Sequence, residues 1–177
     1  MSDKIVTAVF FGSLWGMLEA LLGGFMHAVF PFFPYTGAIV VSLAMPFILG
    51  ASRSGRGTVM LSGAIAASFK LINFFVFPSV SVMRPIVSIL GEAALIELLL
   101  YALPNARGFI LGLGATAGSL VGMLLPPVRM DAGIVLSIAI TALLCELTTR
   151  VRTERIIPGA RSASALFLVT AAITFLL

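Results

Sequence analysis

The chain has 177 residues, of which 60% are apolar and 10% charged, with a net charge of +4. Soluble domains carry about 25% charged residues, so a chain this poor in charge cannot cover itself with a hydrated surface. At about 20 residues per membrane span, the length suits about seven crossings and leaves no room for a separate soluble catalytic or nucleic-acid domain.

Apolar runs broken by Gly, Pro, Ser and Arg clusters predict helices in this order: Ile5–Ala28, Thr36–Leu49, Thr58–Phe77, Pro85–Leu103, Gly108–Leu125, Ala132–Thr148 and Ser162–Leu177. The first run is too long for a cleaved signal peptide and contains Glu19. The second and last are short for a crossing. No internal repeat is claimed. The expected fold is all-α: one polytopic integral membrane bundle over residues 1–177, with six to seven transmembrane helices.

Positive charge orients the bundle. Seven spans put Lys4, Arg53, Arg56, Arg107, Arg150, Arg152, Arg155 and Arg161 on one side, and only Arg84 and Arg129 on the other. The positive-inside rule then predicts a cytoplasmic N-terminus in the cell membrane. The basic residues read as topology signals and contacts for membrane lipids rather than for nucleic acid. The opposite loops are rich in Pro and aromatics, including Phe32, Phe33 and Tyr35.

Ionisable groups inside spans are costly unless they face protein or water. Glu19, Lys70, Glu92 and Glu97 are such groups. Counting from the outer span ends, the first three fall about 10–12 Å deep and Glu97 about 18 Å. Two readings follow. Lys70 pairs with Glu19 or Glu92 and fixes the bundle, or these groups, with Asn73, line an outward-opening pocket closed by Phe33 and Tyr35. Acid exceeds base there, which favours a cationic or amine-bearing ligand, or a proton. Glu146, one turn before Arg150, reads as a surface ion pair.

Small residues recur every fourth position in the first span, at Ala8, Gly12, Gly16, Ala20 and Gly24, and again at Gly114, Gly118 and Gly122. Such stripes pack helices closely, within the bundle or against another membrane protein. The one histidine, His27, and one cysteine, Cys145, form no metal site, and no cofactor is expected. A phosphate-binding loop, a nucleophile elbow and a zinc-protease helix are all missing from the sequence, so no enzyme activity is expected.

The short Pro/aromatic loop after the first span, the Ala8–Gly12–Gly16 stripe, and the runs 44–57 (AMPFILGASRSGRG) and 84–97 (RPIVSILGEAALIE) carry a family resemblance. Through them the chain resembles the substrate-binding (S) component of energy-coupling factor transporters, which import vitamins and trace nutrients. The resemblance implies that Ala8, Gly12 and Gly16 dock a transmembrane coupling subunit, and that separate chains supply the ATPases. It also implies a ligand pocket beneath the first outer loop, and six spans against the seven counted. The expected function is capture of a small solute from outside. The alternatives are a self-sufficient proton-coupled transporter or channel using Glu19, Glu92 and Glu97, and a membrane enzyme acting on lipids through a carboxylate.

Overall fold

The computed structural model describes residues 3–23, 29, 36–76, 80–124, 133–150 and 158–176. They are all-helical, with no strand among the described residues. Helix α1 spans Asp3–Leu18 and continues into a π-helical turn, Glu19–Gly23. Then follow α2 (Thr36–Ser52), α3 (Thr58–Val76), α4 (Val80–Ala102), α5 (Gly108–Met123), α6 (Gly133–Thr148) and α7 (Ala160–Leu176). The predicted helices match these closely. Two stretches, Asp3–Leu22 and Met83–Ala102, are long and apolar enough to cross a membrane by length and composition; the other helices are shorter apolar ones.

One predicted boundary is corrected. The fourth helix starts at Val80, five residues before Pro85, and Pro85 lies inside it. Proline breaks a helix by withholding an N–H and crowding the carbonyl four residues back. Near a helix start the loss is a single bond, and the packing of α4 between α3 and α5 outweighs it. Pro46 is tolerated inside α2 in the same way.

Six helices close a ring, in which successive neighbours are α1, α3, α4, α5, α6 and α2, with α2 returning to α1. Helix α7 lies outside the ring, against α1 and α3. The ring interior is filled by Phe11 and Trp15 of α1, Met45 and Ile48 of α2, Ile89 and Ile96 of α4, Leu111 of α5 and Cys145 of α6. Large apolar side chains also cover the outside. Leu98, Leu143, Leu168 and Phe175 are each more than half exposed. A bundle apolar on both faces is what a lipid solvent permits.

Glycine sets the spacing of two ring contacts. A Cβ on Gly12 would lie 2.6 Å from the Ser62 carbonyl of α3. Gly91 of α4 and Gly118 of α5 face each other backbone to backbone, and Gly122 meets the backbone at Arg84 and Ser88. Both small-residue stripes are therefore internal contacts.

Local contacts gather the basic residues at one end. Lys4 Nζ donates to the Arg56 carbonyl (3.4 Å), and Ser54 Oγ to Thr7 Oγ1 (2.8 Å). Glu97, near the end of α4, accepts from the backbone N–H groups of Gly57 (2.6 Å), Val59 (3.0 Å) and Met60 (3.1 Å) at the start of α3. Glu146, near the end of α6, accepts from the Phe109 N–H (3.0 Å) at the start of α5. Lys4, Arg53, Arg56, Arg107 and Arg150 thus share one end, while Arg84 is at the start of α4, at the other.

These two caps expose an internal repeat that the sequence reading does not claim. The α3–α4 and α5–α6 hairpins are each closed by a carboxylate from the second helix on the start of the first. Aligned on those starts, Arg56–Ser68 and Arg107–Ser119 share Arg56/Arg107, Gly57/Gly108, Gly63/Gly114, Ala64/Ala115, Ala66/Ala117 and Ser68/Ser119. The match is hidden in the sequence because small and apolar residues recur everywhere in such a chain.

Candidate functional site

Lys70 and Glu19 are brought together. Lys70 Nζ lies 3.7 Å from Glu19 Oε2 and donates to the Glu19 backbone carbonyl at 2.7 Å. Their side chains are 13% and 14% exposed, so the pair is held largely away from solvent, where an ion pair stands or falls with its hydrogen bonds. The π turn begins at Glu19. A π turn carries one extra residue per loop and disturbs the regular carbonyl ladder. The Lys70 ammonium bonds a carbonyl where that ladder changes.

Glu92 is placed differently. It is 6% exposed and shares the inward face of α4 with Ile89, Ala93 and Ile96. Its Oε2 has no hydrogen-bond partner, nor has Trp15 Nε1 in the same ring interior. Trp15 lies close to this turn of α4: a Cβ on Gly63 would meet both Trp15 and Ala93. Glu92 is within electrostatic reach of Glu19 and Cys145. Cys145 in turn lies 3.6 Å from Ser42 Oγ, which donates to the Ala38 carbonyl at 2.6 Å. Cys145 of α6 and Ser42 of α2 therefore make a polar contact between the two helices. Buried polar atoms ordinarily have partners in protein, water or ligand.

The predicted single layer becomes two levels. Because α4 starts at Val80, Glu92 is about 18 Å along it, whereas Lys70 is about 9 Å from the end of α3 at Val76. Glu92 sits deeper, near mid-bundle.

Glu97 is not part of this group. The sequence places it nearest the middle, but its carboxylate is committed to the first turn of α3 at the basic end. The early start of α4, at Val80 rather than Pro85, accounts for the misplacement. Glu146 does face Arg150, at 3.9 Å, and in addition caps α5. The stripe expected to dock a partner faces α3 of this chain: Ala8 is fully buried, and Gly12 and Gly16 lie against Ser62 and Phe69 of α3. Asn73 lies in the last turn of α3, and its side chain, with Phe33 and Tyr35, falls outside the described residues.

Sequence reasoning missed Trp15, whose orphaned N–H faces the same interior as Glu92. As the one tryptophan in the chain, set in an apolar run, it carried no signal that separated it from core packing. Among the described residues no group of three or more His, Cys, Asp or Glu side chains could hold a metal ion. Comparison with family models, curated proteins and solved structures finds no match.

Proposed function

We propose that this chain is a multi-pass membrane protein that captures a small cationic or amine-bearing solute from the outer side. It acts as the solute-binding subunit of an energy-coupling-factor-type importer, with the coupling subunit and ATPases on other chains. The observation that carries this reading is Glu92: a buried carboxylate with an unpartnered oxygen in the bundle, whose interior also holds the unpartnered indole N–H of Trp15. A carboxylate placed there without a protein donor suits an ammonium donor brought by a ligand. The Lys70–Glu19 pair sits nearer the outer end and holds α1 to α3, framing the way in. Segregation of basic residues to the opposite end supports a cytoplasmic assignment for that end. The six-helix ring supports the six-span resemblance, with α7 as an addition on its outside. Since the α1 stripe is buried, a coupling subunit would have to meet another face of the ring.

The test is native mass spectrometry of small molecules that co-purify with the chain in mild detergent. Glu92→Gln should lose the bound small molecule while its melting temperature stays close to that of the parent. Undiminished retention in Glu92→Gln would place the pocket elsewhere.

The same carboxylate supports a second reading, proton-coupled transport by this chain alone, because a buried carboxyl can load and release a proton. Solute uptake by proteoliposomes holding only this chain would favour it over a subunit that needs partners.

A further inference from the structure

We propose that the α3–α4 face at the basic end binds one anionic phospholipid, with an acyl chain along the helix groove and the phosphate on Arg56. The inference rests on the membrane reading above, and on a different part of the molecule from Glu92.

The groove walls are Met60 of α3 and Ala94 and Leu98 of α4, all exposed and apolar. Its end is closed by Arg56 and Tyr101, whose ring lies 4.2 Å under the guanidinium carbon. The ring contact steadies the guanidinium, whose N–H groups can grip a phosphate with two parallel bonds. Among the described residues no carboxylate lies within ion-pair distance of Arg56. Glu97 borders the groove, but its oxygens are already occupied by three backbone N–H groups of α3. Gly57, next to Arg56, faces open space, and Lys4 lies across the same turn. The head end therefore has two cations and room.

The distribution of polarity selects the occupant. Charge sits at one end only, and the walls offer almost nothing for hydrogen bonding. A peptide would leave its backbone unsatisfied on such walls. A free phosphate would find two exposed cations rather than a cage. An amphiphile with an anionic head and an apolar tail satisfies both ends, and the basic side of a membrane protein is where such lipids are recruited.

The repeat supplies an internal contrast. At the equivalent corner of α5–α6, Arg107, Gly108 and Glu146 stand where Arg56, Gly57 and Glu97 do, but Arg150 replaces the aromatic and faces Glu146. That corner offers no stacked guanidinium above an apolar groove.

The experiment is native mass spectrometry of the full chain in mild detergent, titrated with phosphatidylglycerol or phosphatidylcholine of matched acyl chains. One phosphatidylglycerol should be retained in preference to phosphatidylcholine. Arg56→Ala and Tyr101→Ala should each weaken that retention by about fivefold, Tyr101→Phe should preserve it, and Arg107→Ala should leave it unchanged. Equal retention of the two lipids, or the same loss in Arg107→Ala, would overturn the site in favour of general surface charge. A chain that stays monodisperse without detergent would overturn the membrane reading and the lipid site together. Loss of small-molecule binding in Glu92→Gln bears on neither lipid outcome.

Discussion

Five positions on α4 separate Glu92 from Glu97, about 7.5 Å of rise, and the two carboxylates meet different chemistry. Glu97 faces the first turn of a neighbouring helix, where up to four N–H groups lack intrahelical partners. It satisfies three of them, and the negative charge also complements the positive end of the helix dipole. Glu97→Ala should therefore lower stability by about 1–2 kcal/mol, the cost of losing a helix cap. Glu97→Gln, which keeps one acceptor oxygen, should cost less. Thermal unfolding in detergent checks both. An unchanged melting temperature in Glu97→Ala would mean that α3 finds another cap. That these acids belong to apolar helices was legible, since each interrupts an apolar run. Their roles were not, because a role depends on which helix lies opposite and at what height.

At the scale of the elements, the helices were legible because their apolar length and the breaks between them are local properties. The boundary at Pro85 was misread because proline's effect depends on its distance from the helix start, which the residue itself does not reveal. The small-residue stripes were visible too, but glycine spacing does not say which partner fills the groove. The structure assigns one stripe to α1–α3 and the other to α4–α5. In the second contact neither backbone can yield to a side chain. Gly118→Val should force α4 from α5 and destabilise the chain by about 1–3 kcal/mol or more. Gly37→Ala, where a Cβ meets open space, should be close to neutral. A denaturation series on the two variants compares them directly, and equal stability would show that the α4–α5 contact is looser than described.

For the whole molecule, the helices among the described residues put Lys4, Arg53, Arg56, Arg107 and Arg150 at one end, as the charge count anticipates. The ring order was not legible, because neighbours such as α2 and α6 are joined by no local signal. Cys145 is buried, so it gives little background in thiol labelling, and Cys145→Ser removes even that. In that background, cysteines placed at Ser54, Asn105 and Gly159 should react with an impermeant reagent from the cytoplasmic side alone. Labelling of position 54 and position 159 from opposite sides would undo the seven-span topology.

The π turn at Glu19–Gly23 ties the first helix to the third through an unusual dependence on chain length. One residue more in a turn rotates everything beyond it by about 100° relative to an uninterrupted α-helix. Deleting a single residue from this stretch would let the ladder re-form, return the Glu19 carbonyl to an N–H of its own helix, and leave the Lys70 ammonium with the Glu19 carboxylate alone. The inserted residue thus frees the acceptor that the amine takes up.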